Sequence, residues 1–347
     1  MNGYTRMMPP HPIYGVRPAY VPRLLGVTFG GTARERDGFY RIRTPLRLLA
    51  DSGYKAGWLC FSDQDLPIAD LVKNYEAVVV SERAGSGIVR ACQAARTIVM
   101  VDVDRPDFCR DTVAAASGII AASPEIADLV RPYHPIIEVL PTYADSRIWM
   151  REGARIETNP VIGVFSWDGD TWLSLVRPLQ IITHEYPDVS ILVDAAAPPA
   201  LCDMADLVIS DHDLSMQAEH RYRLSVDIGL CLSHSVSDRG VTPFVADRLG
   251  RPNGIYAYGM AETAVIGSPC YTSLLRSKGA IADTCHEWVA AMRRYLDDGP
   301  RRRRDAFALR RYVEDRVDIG DHGLRVVAAY RSLYQRIIGD WFVAKSV

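Results

Sequence analysis

The stretch ASGIIAASPEIADLVRPYHPIIEVLPTYAD (116–145) has the pattern of a strand, a helix and a second strand. Its two β-branched runs, GIIAAS (118–123) and IIEVLP (136–141), flank a helical period that begins at Pro124, a residue suited to a first helical turn. Short strands that alternate with amphipathic helices are typical of βαβ units and a parallel sheet. The stretch therefore predicts an α/β fold.

The same alternation recurs in two series of predicted strands, separated by a polar break at residues 143–159. The first series comprises residues 24–29, 56–61, 77–81, 97–103, 118–123 and 136–141, and the second comprises residues 161–166, 189–195, 207–210, 227–233 and 263–268. Predicted helices include residues 41–50, 124–130, 173–186, 216–224, 285–297, 301–313 and 324–342. We therefore predict two Rossmann-like domains facing each other across a cleft, at residues 24–150 and 151–323, after an extended proline-rich arm at residues 1–23.

The composition is that of an ordinary soluble globular protein. The 347 residues carry a formal net charge of −2 and are 48% hydrophobic, which excludes disordered, coiled-coil and collagen-like chains. Seven cysteines are scattered without a C-x-x-C pair, so neither a zinc knuckle nor a disulfide framework is indicated, and a reducing cytoplasm fits best. No apolar run approaches the roughly 18 to 20 residues of a membrane span. We expect a cytoplasmic protein.

Two features of the first domain are candidates for ligand binding. Gly30 and Gly31 follow the first strand and open a loop into a helix, where glycines let a ligand approach the backbone and a helix N-terminus favours an anion. Asp102 and Asp104 leave the fourth strand on the same side, where they could orient a hydroxyl, act as a base or hold a metal. A tight turn without a ligand and surface-exposed acids are the alternatives.

Candidates in the second domain fall in two segments. FSWDGDTW (165–172) places Trp167, Asp168 and Asp170 at a strand-to-helix turn, where backbone N–H groups suit a phosphate, and an acidic helix cap is the alternative. The second segment, HSVSDRGVTPFVADRLGRPNGIYAYGMAETAVIGSPCY (234–271), suits a nucleotide-sugar pocket, with arginines for a diphosphate and tyrosines beside a base or sugar. Its candidates are Arg239, Arg248, Tyr256, Tyr258 and Ser268. Solvated surface is the alternative for each arginine.

An arginine run at residues 301–304 lies among acids and lacks interleaved aromatics. We interpret it as a solvated helix face rather than a nucleic-acid patch.

These segments, in this order, resemble GT-B glycosyltransferases of the group 1 (family 4) type and their shorter phage and bacterial relatives. The resemblance spans residues 24–341 and rests most clearly on the stretch at 116–145, on VIGVFSWDGD (161–170) and on YGMAETAVIGSPCYTSLLRSKGAIAD (258–283). It implies a GT-B fold whose terminal helix, at residues 324–347, crosses back to the first domain.

The resemblance also implies transfer of a sugar from a nucleoside-diphosphate sugar to an acceptor hydroxyl, with retention at the anomeric carbon. The second domain would hold the donor through Trp167, Asp168, Asp170, Arg239, Arg248, Tyr256, Tyr258 and Ser268. The acceptor, which is a glycan, a protein or a modified DNA base, would lie near Gly30 and Gly31, with Asp102 the preferred orienter or base and Asp104 beside it. We expect no tightly bound cofactor and no metal.

Two departures from the family pattern leave other functions open. The family's donor-contacting glutamate is replaced by Ala257, and Glu262 lies five positions away. The Arg and Lys pair expected after the first strand of the second domain is replaced by WDGD (167–170). One alternative is therefore a noncatalytic sugar- or nucleotide-binding protein or partner subunit. Another is a phage-type glycosyltransferase of hydroxymethylated DNA bases, which needs a basic strip; the candidates for it are Arg34, Arg36, Arg41 and Arg43.

Overall fold

Two parallel β-sheets of six strands each organise the described part of the chain. The computed structural model describes residues 20–29, 39–61, 68–146, 159–166, 172–194, 197–209, 226–232 and 253–344. The chain forms two units, Met1–Arg147 with Ile319–Val347 and Ile148–Asp318, so its C-terminal segment belongs to the first unit. The α/β fold class predicted from the sequence is confirmed.

The sheet of the first unit has the strand order β2-β1-β3-β4-β5-β6. Its strands are β1 (Leu24–Phe29), β2 (Ala56–Phe61), β3 (Ala77–Ser81), β4 (Ile98–Val103), β5 (Gly118–Ala121) and β6 (Ile137–Val139). Between them lie a π-helical turn (Phe39–Arg43), a 3-10 turn (Glu82–Ala84) and the helices α1 (Thr44–Asp51), α2 (Ile68–Val72), α3 (Ser86–Ala94), α4 (Arg110–Ala115) and α5 (Pro124–Val130).

The sheet of the second unit has the order β12-β11-β10-β7-β8-β9. Its strands are β7 (Val161–Ser166), β8 (Ser190–Asp194), β9 (Leu207–Ile209), β10 (Ile228–Leu232), β11 (Ala264–Gly267) and β12 (Ala280–Ile281). Its described helices are α6 (Leu173–Glu185), α7 (Pro199–Cys202), α8 (Asn253–Met260), α9 (Thr272–Leu275), α10 (Cys285–Asp297) and α11 (Gly299–Val317), with a 3-10 turn at Pro269–Tyr271. Counted from β7, this is the 3-2-1-4-5-6 order of a dinucleotide-binding sheet.

The C-terminal helix α12 (Gly323–Ala344) closes the apolar core of the first unit. Its buried residues include Tyr330, Leu333 and Ile337, which share one core cluster with residues of α1, β4 and β5. Gly118 at the start of β5 lets the helix lie close to the sheet, because a Cβ atom there would fall 2.7 Å from Cδ1 of Ile337. The apolar stripe of the last helix therefore belongs to the first sheet.

The predicted strands are all present, and their ends differ from the prediction by two residues at most. Strand β12 was not predicted, because two residues are too few to show an alternating pattern. Helix α11 extends beyond the predicted 301–313 at both ends, and the predicted helix at 216–224 lies outside the described residues. None of the helices in the described ranges combines the length and apolar character that crossing a membrane requires.

Candidate functional site

A buried ion pair joins the π-helical turn to the end of strand β4. The guanidinium of Arg41 contacts the Asp102 carboxylate through two nitrogens, with Nη2 2.6 Å from Oδ1 and Nε 3.3 Å from Oδ2. The remaining nitrogen, Nη1, donates a hydrogen bond to the carbonyl of Leu140. Only 2% of the Arg41 side chain and 5% of the Asp102 side chain are exposed. Bidentate pairing of this kind fixes the orientation of both groups.

The Asp102 carboxylate stabilises the charged form of Arg41. Burial by itself lowers the pKa of Arg41, but the charge and hydrogen bonds of Asp102 more than offset it, and the pKa lies above its ordinary value. Asp104 adds a smaller contribution in the same direction, so both carboxylates predicted at this strand end act on one guanidinium. Any role of Asp102 in orienting a substrate must therefore be exerted by a carboxylate that Arg41 already holds.

Strand alternation explains why Asp102 is buried. Ile98 and Met100 of β4 belong to the core cluster that α1 and α12 cover. Asp102 lies two residues further along the same strand, so it points to the same face of the sheet. Arg41 supplies the counter-charge that the Asp102 carboxylate requires in an apolar layer, because a lone buried carboxylate is strongly unfavourable.

A second group of charged side chains lies at the carboxyl ends of β3 and β4, and the sequence interpretation identified its Asp104 but missed Glu82 and Arg105. Nε of Arg105 lies 3.3 Å from Oε1 of Glu82 and 4.0 Å from Oδ1 of Asp104. Glu82 is buried, and the Ser81 hydroxyl donates to its Oε2 at 3.2 Å. The available signal was a charged residue within two positions of the end of each predicted strand, Glu82 after residues 77–81 and Arg105 after residues 97–103. The carboxyl ends of parallel strands are the edge at which α/β proteins bind ligands.

Tyr258, predicted to contact the donor, is fully buried in the second unit. Its ring lies over Gly229 of β10, where a Cβ atom would approach ring carbons to 2.6 Å. Its hydroxyl donates to the Gly163 carbonyl of β7 at 3.2 Å. These contacts give Tyr258 a packing role across two neighbouring strands, and its donor role stays a prediction.

Tyr256 and Ser268 occupy different environments. Tyr256 is partly buried on α8, and burial together with nearby Tyr312 of α11 raises the pKa of its phenol. Ser268 follows β11, and its backbone N–H donates to the Cys231 carbonyl at the end of β10, 3.0 Å away. Of the three described donor candidates, Ser268 is the one placed at the carboxyl ends of strands.

Glu262 does not take the place of the missing glutamate. It lies between α8 and β11, at the amino end of β11, with a left-handed backbone (φ 54°). Its carboxylate accepts a hydrogen bond from Nη1 of Arg310 at 2.7 Å. Ala257, which stands at the glutamate position, is fully buried. Glu262 therefore lies near the amino end of β11, whereas Ser268 lies at its carboxyl end.

Of the four arginines considered for a DNA-binding strip, Arg34 and Arg36 lie outside the described residues, and the other two contact side chains of this chain. Arg41 is buried against Asp102, and the Arg43 guanidinium lies 5.2 Å from the centre of the Trp58 ring. In the run at 301–304, Arg302 is buried and donates to the Tyr295 carbonyl, so that run is not a wholly solvated face as predicted. The basic strip proposed for DNA therefore loses Arg41.

Several predicted site residues lie outside the described residues: Gly30, Gly31, Trp167, Asp168, Asp170, Arg239 and Arg248. Within the ranges that the structure describes, no three His, Cys, Asp or Glu side chains come together as a metal site.

The similarity of this chain to known proteins is one of fold. No family model matches the chain, and a search of curated proteins found no match. Among solved structures, HepE from Anabaena in complex with UDP-glucose matches with a TM-score of 0.59 and 14% identity, over 92% of this chain and 100% of that one. The sucrose-phosphate synthase of Thermosynechococcus elongatus matches with a TM-score of 0.59 and 10% identity, over 90% of this chain and 100% of that one.

A glycosyltransferase from Rickettsia africae matches with a TM-score of 0.57 and 12% identity, over 90% of this chain and 98% of that one. All three alignments span nearly the full length of both chains, so the likeness covers both sheets and not one Rossmann-like unit alone. The chain thus has a divergent GT-B fold, the architecture that the sequence resemblance implies.

Proposed function

We propose that the chain is a glycosyltransferase that moves a sugar from a nucleoside-diphosphate sugar to an acceptor hydroxyl, with retention at the anomeric carbon. The observation that carries the proposal is the full-length match to the UDP-glucose complex of HepE, which includes both six-stranded sheets. The ordered charged groups at the carboxyl ends of β3 and β4 add support, since this edge is where α/β sheets bind ligands.

The physical task of such an enzyme is to stabilise the diphosphate as it leaves. Arginines and helix N-termini do this best when they are already oriented before the reaction. We assign the diphosphate to Arg239 and Arg248, and place Ser268 beside the donor because it lies at the ends of β10 and β11. On the acceptor side, Asp102 and Asp104 would orient the attacking hydroxyl, with Arg41 holding Asp102 in position.

The donor assignment is tested by calorimetric titration with UDP, GDP, ADP and UDP-glucose. Arg239→Ala and Arg248→Ala are each expected to weaken binding of the preferred diphosphate by about tenfold or more, since hydrogen bonds to charged groups contribute about 1.5–3 kcal/mol. Arg276→Ala is the matched control, because it removes an exposed arginine from the same unit. Wild-type affinity for all three diphosphates in both test variants would refute the assignment.

Catalysis is tested separately, by measuring UDP released from UDP-glucose with and without candidate acceptors. A transferase releases UDP and transfers glucose in equal amounts. Binding without release across donors and acceptors would reject an enzyme and favour the second candidate, a noncatalytic sugar- or nucleotide-binding partner subunit. A specific observation favours that candidate: Ala257 is buried at the glutamate position, and Glu262 is committed to Arg310.

A further inference from the structure

The hydroxyl of Tyr330 is a buried polar group for which the described residues provide no hydrogen-bond partner. Tyr330 lies on α12 with 1% of its surface exposed, and it belongs to the core cluster of Met100 and Leu140. Buried hydroxyls in native proteins almost always have a partner, and an exception calls for an explanation.

The Arg41–Asp102 pair lies on the same side of the first sheet as this hydroxyl, because Tyr330 packs in one core cluster with Met100, and Asp102 follows Met100 on the same face of β4. Burial raises the pKa of the Tyr330 phenol, the negative charge of Asp102 raises it further, and the positive charge of Arg41 opposes both. Both members of the pair therefore act on this phenol inside the same low-dielectric layer. Arg41 also donates to the carbonyl of Leu140, a residue of the core cluster that contains Tyr330.

The surroundings decide what kind of molecule fits. Met100 and Leu140 are almost fully buried, as are Arg41 and Asp102, so the Tyr330 hydroxyl lies in the interior of the first unit. A water molecule both donates and accepts, and it bridges polar groups that are too far apart for a direct bond.

We propose that Tyr330, together with the Arg41–Asp102 pair, forms an internal binding site for water, and that the bridge makes Tyr330 a positioning residue for Asp102. The C-terminal helix would then hold the end of β4 through a polar contact as well as through its apolar stripe. The consequence for catalysis rests on the proposed function, whereas the water site itself does not.

The sign of a stability change distinguishes a bridged hydroxyl from an unpaired one. Tyr330→Phe removes only the hydroxyl, so loss of a bridge is expected to lower the midpoint of thermal unfolding of the first unit by about 2–4 °C. If the hydroxyl were unpaired, its removal would raise the midpoint instead, and a rise or no change overturns the proposal. Tyr133→Phe is the control, because it removes a hydroxyl from an exposed ring of the first unit, which packs against Phe108 at 5.7 Å between centroids.

Two further measurements complete the test. In an Asp102→Asn background, Tyr330→Phe should lower the midpoint by less than half as much, because one end of the bridge is already altered. A crystal structure of the full chain should show a water within hydrogen-bond distance of both Tyr330 Oη and the Asp102 carboxylate, and a dry site overturns the proposal even if a variant fails to fold.

If UDP release is found, Tyr330→Phe should lower kcat severalfold with the Kd of UDP unchanged, and Tyr133→Phe should change neither. An unchanged kcat in Tyr330→Phe rejects the positioning role. Absence of UDP release from the wild-type protein refutes the proposed function alone, because the unfolding and crystallographic results still decide the water site.

Discussion

The Arg41–Asp102 pair concentrates two opposite charges in an apolar layer, so its members depend on each other. Replacing one partner leaves an uncompensated buried charge, which costs about 3–5 kcal/mol of unfolding free energy. We expect Arg41→Met and Asp102→Leu each to show a loss of this size in chemical denaturation. The double variant should lie much closer to the wild type, because two apolar side chains replace a pair whose desolvation is itself costly.

The matched control for these variants is an exposed pair in the same unit. Lys73 and Asp70 approach to 3.1 Å with most of each side chain exposed. The variants Lys73→Met and Asp70→Leu should each change the free energy of unfolding by about 1 kcal/mol at most. Additive losses in the Arg41→Met/Asp102→Leu double variant would contradict the coupling that we infer from the geometry.

At the residue scale, the sequence predicted where a side chain lies along a strand but not which distant side chain it contacts. The place of Asp102 and Asp104 at a strand end follows from a local β-branched run. The partner of Asp102 is 61 residues away, and no local pattern links Arg41 to it. The same reason explains Glu82 and Arg105, which meet only because β3 and β4 are neighbours in the sheet.

At the scale of elements, the turn between α5 and β6 is closed by a buried histidine. His134 Nδ1 accepts a hydrogen bond from the Ile136 N–H, and Nε2 lies 3.1 Å from the Ala116 carbonyl, an arrangement that a neutral ring with a proton on Nε2 satisfies. Burial lowers the pKa of His134 below its ordinary value, although the two nearby carbonyls oppose the shift.

Because His134 is buried in this turn, we expect the free energy of unfolding to decrease in mild acid. Below a pH of about 6.5 the unfolded chain takes up a proton at His134 that the folded chain does not yet bind. The free energy of unfolding should therefore fall as pH decreases from about 7 towards 5, with this residue contributing up to about 1.4 kcal/mol per pH unit. The contribution is present above the unfolded-state pKa and disappears as pH falls towards the lowered folded-state pKa.

The measurement is urea denaturation of wild type and His134→Gln at a series of pH values. The variant should be less stable at pH 7, and its stability should depend less on pH in this window. His286→Gln, at an exposed position of α10, controls for loss of a histidine as such. Parallel pH curves for wild type and His134→Gln would show that burial of this ring does not govern the effect.

The bounds of helices whose capping residues lie in the local sequence were predicted closely. Helix α5 begins at Pro124 because the Ser123 hydroxyl accepts a hydrogen bond from the Ile126 N–H, and α10 begins after a capping box of Thr284 and Glu287. The π-helical turn before α1 was predicted as ordinary helix, because what distinguishes it is the fit of Arg41 into the core, which is a tertiary property.

At the scale of the whole molecule, the two units differ in how the chain builds them. The second unit is one continuous stretch, Ile148–Asp318, whereas the first is completed only by the returning segment Ile319–Val347. The amide of Ile319 donates to the Ala144 carbonyl at 2.8 Å, and the His322 ring stacks on that of Tyr143 with centroids 5.0 Å apart. The first unit therefore depends on the last helix for its core.

Truncation after Asp318 tests this dependence. It removes buried Val326, Tyr330, Leu333 and Ile337, each with 1% exposure or less. Large apolar side chains contribute about 1.5–3 kcal/mol each on burial, so the four together contribute about 6–12 kcal/mol, which is comparable to the 5–15 kcal/mol that stabilises a typical domain. We expect the first unit to lose its protection from amide hydrogen exchange while the strands of the second unit keep theirs. A chain shortened after Ala344 is the control, because it retains all of α12.

Since we assign the donor to the second unit, the protein truncated after Asp318 should bind UDP with nearly the wild-type Kd. A loss of UDP binding with protection of the second unit intact would show that donor binding also requires the first unit.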